Sequence, residues 1–205
     1  MSAPSGGGFG SFGAQASPEL QAKVNYNSGV KQVEKADKLQ DSAAALSDDK
    51  KKARALKDAS SAYTEALGKF AQVLKVNSRM PEVWNYVGYT SRKLGNYEDA
   101  LKAYSNALLL RPGYPEAIEY RGEAFLALDR TSDAEQSYLD LFGSNRALAN
   151  KLLEAMKSWI AAQRSAATAS NATTVDDLDK WVQERAQIAA QTASLTREGT
   201  AASWQ

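Results

Sequence analysis

The feature that most constrains this chain is a self-similarity at a spacing of thirty-four residues. Shifted by that amount, Pro81 falls on Pro115, Glu82 on Glu116, Gly88 on Gly122, Leu94 on Leu128, Asp99 on Asp133, Ala100 on Ala134 and Tyr104 on Tyr138. A fixed period of about 20 to 50 residues marks units that cannot bury their apolar faces alone and must stack on one another. The clearest unit runs from Met80 to Tyr114, two helical patterns joined by Leu94-Gly95-Asn96-Tyr97 and ended by Pro112. Gly88 and Gly122 fall mid-helix, where glycine costs about 1 kcal/mol relative to alanine, so close approach of a neighbouring helix is predicted at both. Ala100 and Ala134 fit the same account on the second helix. Trp84, Tyr104 and Leu108 are the large residues expected to fill the space between helices.

At these positions the unit resembles the tetratricopeptide repeat (TPR). Trp84, Val87, Gly88, Gly95, Tyr97, Ala100, Tyr104, Ala107 and Pro112 stand where that motif has its tryptophan, leucine, glycine, turn glycine, tyrosine, alanine, aromatic, alanine and closing proline. Ser91 departs, where the motif has a tyrosine. The next unit keeps Gly122, Phe125, Ala134 and Tyr138 but carries Ile118 for the tryptophan, Arg121 for the leucine, Asp129 for the turn glycine and Leu141 for the later alanine. A repeat facing a different neighbour is expected to drift in this way. Period and resemblance together imply an all-α fold, a TPR-like right-handed helical-repeat superhelix. It would hold about three helix-turn-helix repeats, the first with an elongated hairpin, plus C-terminal capping helices.

Residues 1–17 are rich in glycine, serine and alanine, lack any helical or strand period, and are expected to be disordered or loosely attached. Their Gly-Gly-Gly-Phe-Gly stretch resembles the start of mature exported repeat proteins from bacteria. The expectation is therefore a small bacterial protein, periplasmic or exported without its signal peptide, with a cytoplasmic protein as the alternative. Ser17-Pro18-Glu19 is a helix start, serine as cap and proline at the first helical position.

Carrying the period backwards places Ala66 on Ala100 and Phe70 on Tyr104, which makes residues 18–80 a first repeat with Gly29 as the glycine of its first helix. Gly88 to Ala100 takes twelve steps, but Gly29 to Ala66 takes thirty-seven, with no proline or glycine between Val30 and Leu67. The extra residues must lengthen both helices, by ~18 Å if shared equally. The hairpin should turn near Ser47-Asp48-Asp49, and its alanine-rich seam is expected to fray at the tip. Lys50-Lys51-Lys52 beside that turn reads either as a contact for an acidic surface or as a solvated helix start behind its Asp48-Asp49 cap. Repeats at 81–114 and 115–146 follow. Then come a capping helix at 147–165 bearing Leu148, Leu152, Leu153, Met156, Trp159 and Ile160, a linker at 166–174, a C-terminal helix at 175–198 and a tail at 199–205. The last helix either folds back on the body or docks on another molecule.

Composition narrows the function. A net charge of +1 and a pI near 7.8 give no electrostatic footprint for nucleic acid. No apolar run approaches the roughly 18 residues of a membrane-spanning helix, so a soluble protein without membrane insertion is expected. The absence of cysteine and histidine removes thiol catalysis, histidine acid-base chemistry and most zinc or copper sites. Asp176-Asp177-Leu178-Asp179 follows Thr173-Thr174 ahead of an apolar-periodic run and reads as a helix N-terminus rather than a metal site. No cofactor, metal or catalytic set is expected.

The family resemblance implies a non-enzymatic interaction or assembly module that binds a peptide segment or partner protein on its concave face. Self-association through the long hairpin or last helix is one alternative, and a carboxylate-based enzyme is another. In this family the first helix of each pair lines the concave side, which makes Glu82, Asn85, Tyr89 and Arg92 on one helix and Glu116, Glu119 and Glu123 on the next the candidate partner-binding residues. The family's clamp for an acidic C-terminus does not fit. Tyr86 and Tyr120 stand where asparagine or arginine is needed, and Glu116 stands where lysine is needed. The expectation is instead a groove acidic over its second half with tyrosine beside it, suited to an extended segment carrying lysine or arginine.

Overall fold

The computed structural model describes residues 17–166 and 172–201, with the side chains of the last helix as far as Thr192. The expectations for residues 1–16, the centre of the linker and the end of the tail lie outside the described residues. The rest is helical: α1 (Pro18–Ala44), α2 (Asp49–Val76), α3 (Pro81–Lys93), α4 (Tyr97–Leu110), α5 (Pro115–Ala127), α6 (Thr131–Phe142), α7 (Arg146–Ala166) and α8 (Ala172–Ala201). Each odd-numbered helix packs on the helix that follows it, and α1, α3, α5 and α7 also pack on one another in turn. This is the helical-repeat architecture that the period requires, all-α with its first hairpin elongated.

Local chemistry sets the boundaries. Ser17 Oγ accepts from the Leu20 N–H at 3.2 Å ahead of Pro18, and Asp48 Oδ1 accepts from the Lys51 N–H at 2.9 Å, so each arm of the hairpin starts on a side-chain cap. Pro81 and Pro115 open α3 and α5. Asn145 Oδ1 accepts from the Leu148 N–H at 3.1 Å and starts α7 in the same manner. The turns inside the second and third pairs are copies of each other. Gly95 has φ +81° and Asp129, thirty-four residues on, has φ +57°; the Asn96 N–H reaches Ser91 O and the Arg130 N–H reaches Phe125 O, both at 2.9 Å. A left-handed residue closes each turn, with an aspartate tolerated in place of the glycine.

The mid-helix glycines do make room for a neighbour, but the neighbour is a side chain. A Cβ on Gly29 would lie 2.7 Å from Phe70 Cε1, and one on Gly88 would lie 2.6 Å from Tyr104 Cδ1. Both rings come from the equivalent place on the second helix of the same pair, and both are fully buried. In the third pair the socket is filled from elsewhere: Gly122 faces Leu152 of α7, whose Cδ2 lies 2.6 Å from the Cβ position.

The outer part of the long hairpin is held by a narrow seam of Ala36, Ala43, Ala59 and Ala62 together with the buried Tyr63. At the other end α7 is more than a lid. With α8 it forms a fourth helical pair, and α8 folds back on the body: Val175, Leu178 and Val182 are buried with Leu152, Leu153, Met156 and Ile160 of α7. Trp181 sets its edge against Tyr138 of α6 at 5.2 Å.

Candidate functional site

The first helices of the three repeats enclose a cavity of about 430 Å³. The sequence register explains which residues meet there. Tyr26, Asn85 and Glu119 each stand three positions before the glycine of their helix, and Val30, Tyr89 and Glu123 stand one after it, so the three helices present equivalent faces to the same side. From α1 the lining takes Tyr26, Val30, Val33, Glu34 and Asp37; from α3 it takes Glu82, Asn85, Tyr86 and Tyr89; Tyr114, Glu116 and Tyr120 close it. Tyr86 stacks on Phe70 at 5.0 Å and meets Tyr26 edge-on at 6.1 Å, while Tyr89 tilts against Tyr120 at 5.1 Å.

The lining contains four carboxylates and no lysine or arginine. Their situations differ. Asp37 Oδ1 accepts from the Tyr63 hydroxyl at 2.5 Å and the Tyr89 hydroxyl at 2.7 Å. Burial first, and then this hydrogen bond, push both phenols up, so they stay neutral donors. Glu82 pairs with Arg111, whose guanidinium also lies 4.8 Å from the centre of the Tyr114 ring. Burial acts to raise the Glu82 carboxyl, but a backbone hydrogen bond and the Arg111 pair together hold it below its ordinary value. Tyr114, half-buried beside Glu116 and Glu82, is pushed up to about 12 by burial and then by those charges. Glu34 and Glu116 are exposed and have no ion-pair partner among the described residues. Asn85 is only 7% exposed, and its Oδ1 has no hydrogen-bond partner.

Residues 81–114, the α3–α4 pair that supplies this cavity's middle wall, match the family model for the tetratricopeptide repeat. The second helical pair is therefore similar to a tetratricopeptide repeat. Among curated proteins, the chain is similar to the human protein O-mannosyl-transferase TMTC3, 36% identical over 70 residues, and to its mouse counterpart, 34% identical over 70 residues. Those matches cover 34% of this chain but 8% of each relative, so the chain spans under a tenth of the curated proteins it resembles. Among solved structures, it is similar to the first TPR of Spaghetti (RPAP3) bound to the HSP90 peptide SRMEEVD, at 19% identity and a TM-score of 0.43 over 62% of this chain and 94% of that one.

Within the α3–α4 pair and its neighbour, the candidate residues divide. Glu82, Asn85, Tyr89 and Glu116 line the cavity. Arg92, Glu119 and Glu123 do not. Arg92 pairs with Glu123 and lies 5.5 Å and 5.4 Å from the ring centres of Tyr89 and Tyr120, its side chain 15% exposed. Glu119 is fully buried and receives Lys151 Nζ of α7 at 3.2 Å. Burial, then the adjacent Glu123 carboxylate, push the Glu119 carboxyl above the ordinary range. Of the three glutamates expected to make the groove's second half acidic, Glu119 and Glu123 are matched by the protein's own cations, because α7 packs over that end of α5, while Glu116 stays open in the cavity. The open acidity also extends to Glu34 on α1. Tyr26, Val30, Val33, Glu34 and Asp37 were absent from the candidate set, although the alignment of Gly29 with Gly88 carries the same face onto α1.

α8 begins at Ala172, ahead of the expected start, so Asp176 and Asp179 stand beyond its first turn, and Arg164 Nη2 reaches Asp176 Oδ1 at 3.2 Å and Asp179 Oδ2 at 2.8 Å, bracing α8 against α7. Among the described residues no group of three histidine, cysteine, aspartate or glutamate side chains is arranged to hold a metal ion, and no helix is long and apolar enough to cross a membrane.

Proposed function

We propose that this protein is a non-enzymatic interaction module that holds an extended segment of a partner protein, carrying lysine or arginine, along the face shared by α1, α3 and α5. The observation that carries this reading is the composition of the cavity: Glu34, Asp37, Glu82 and Glu116 set among tyrosine rings, with no cation in the lining. Carboxylates in a partly desolvated cleft attract a basic segment and repel an acidic one, and the ring faces add a further attraction for cations. The tetratricopeptide match supports a binding role by analogy of fold.

The test is selection of a randomised displayed peptide library on the full chain, followed by hydrogen exchange on the complexes. Binders rich in lysine or arginine, weakened by salt and protecting α1, α3 and α5, are expected. Acidic binders, or protection confined to α2, α4 and α6, would refute the assignment.

A further inference from the structure

The second and third repeats each pack the outer face of their first helix on the pair before. Val83 of α3 is fully buried with Ala66, Phe70 and Val73 of α2, and Ala117 of α5 is fully buried with Ala100, Tyr104 and Ala107 of α4. Both residues stand five positions before the glycine of their helix. On α1 that position is Val24, which is 53% exposed, and Leu20 one turn ahead of it is exposed to the same extent. The far end of the array is covered by α7 and α8, but here the stacking face stays open, and repeat arrays need their end faces covered. Beside it, between the first two turns of α1 and the end of α2, lies a pocket of about 250 Å³ walled chiefly by Ala22, Tyr26, Val73, Val76 and Met80. The polar residues of its lining are exposed, and none of its polar side-chain atoms is buried without a hydrogen-bond partner. Its chemistry therefore suits an apolar side chain.

We propose that this pocket is the seat of the chain's own N-terminal segment, with the ring of Phe12 inserted between α1 and α2. The segment enters at the right place. Ser17 caps α1, and α1 contributes to the pocket from Glu19 to Tyr26, roughly 3 to 14 Å along the helix from that cap. Phe12 lies five residues ahead of Ser17, a reach of up to ~17 Å, which spans the pocket. Its composition fits as well. Residues 1–16 carry no charged side chain, and Phe9 and Phe12 are their only aromatic residues, so the ring enters without a charge to strip of water. The tether decides against other occupants. A linker of a few residues holds the ring near the pocket at an effective concentration in the millimolar range, which a second copy or a separate partner at micromolar concentration does not match. The seat does not depend on what the groove binds, although Tyr26 lines both.

Hydrogen exchange on the full chain, with no peptide added, reads the contact. In the Phe12→Ser variant the amides of residues 19–26 and 73–80 should exchange at least about threefold faster than in the parent, with α5 and α6 unchanged. Val76→Lys, at a wall of the pocket that is 44% exposed, should cause the same loss, and adding Phe12→Ser to it should cause no more. Equal exchange in the parent and Phe12→Ser would overturn the proposal, and so would a loss that follows Phe9→Ser instead. Protection that grows with protein concentration, together with a dimer mass in light scattering, would overturn it in favour of a second copy.

Discussion

Replacing Gly88 by alanine tests the packing of the repeat with a single methyl group. The new Cβ would lie 2.6 Å from Tyr104 Cδ1 and 2.8 Å from Cζ, where carbon atoms settle at about 3.5–4.0 Å. The ring is fully buried, with Tyr120 next to it at 6.3 Å, so relief requires a shift of roughly 1 Å by a rigid group that has nowhere open to go. Overpacking costs about 1–3 kcal/mol, and an aromatic ring belongs at the upper end of that range. Alanine's better helix propensity offsets about 1 kcal/mol. The expected net is a loss of about 2 kcal/mol.

Gly122→Ala is the matched control. Its propensity gain is the same, but its nearest atoms are Leu152 Cδ2 and Cδ1 at 2.6 Å and 2.8 Å, the ends of a side chain that can rotate, with Ser137 Cβ at 3.2 Å. It should stay within about 1 kcal/mol of the parent. Urea unfolding of the parent and both variants, followed by circular dichroism, gives the comparison directly. If Gly88→Ala matched the parent, or Gly122→Ala lost more, the idea of an aromatic ring seated on the glycine would be wrong.

Glu119→Lys, a change that looks harmless if Glu119 is a surface residue, should cost about 3–5 kcal/mol because it sets a charge inside the fold opposite Lys151; an unchanged urea midpoint would contradict the buried pair. The same residue gives a pH signature. Its folded carboxyl titrates above the unfolded value of 4.5, so the folded state holds the extra proton and stability falls as pH rises from about 4.5 towards neutrality. Glu119→Gln should flatten that part of the curve, read as the difference between parent and variant melting temperatures across a pH series. Excising residues 42–56 of the hairpin and closing the gap with a short turn should leave one cooperative unfolding transition and intact peptide binding. The excision spares Asp37 and Gln40, which receive hydrogen bonds from Tyr63, Tyr89 and Lys93; loss of cooperativity would make the hairpin tip part of the core.

What the period encodes is readable residue by residue. Gly95 and Asp129 fall at equivalent positions and adopt the same left-handed backbone; Gly29 and Gly88 each seat the ring that the register puts opposite them. What the period leaves out is the identity of the neighbour beyond the pair. Glu119 and Glu123 read as a free acidic face because nothing within their own repeat opposes them. The groups that do are Arg92 from the pair before and Lys151 from the pair after, and α7 has drifted too far from the motif for Lys151 and Leu152 to be placed by alignment. Asn85 shows the same limit from the other side. Its spacing puts it on the groove face, but its near-complete burial is not something the spacing carries.

That stacking also decides where along the groove a ligand can gain most. From Tyr89 a continuous path of contacts leads away from α1: Tyr89 touches Tyr120, Arg92 lies over both rings and pairs with Glu123, Glu123 adjoins Glu119, and Glu119 receives Lys151, which itself lies 4.9 Å from the Tyr120 ring centre. Arg92 and Lys151 are thus already engaged by Glu123 and Glu119 at the α3, α5 and α7 end of the face, and Tyr120 has both of those cations near its ring. A basic ligand arriving there would have to displace a partner from an existing pair, so its gain would be the small difference between two similar interactions. At the α1 end, Glu34 has no such partner, and its attraction for an incoming cation is not offset by any bond that must first be broken. The fold therefore uses its own arginine and lysine to close one half of an otherwise uniform tyrosine and carboxylate face. On the proposed reading, the cavity that remains open towards α1 would set the register in which a basic segment lies along the repeats.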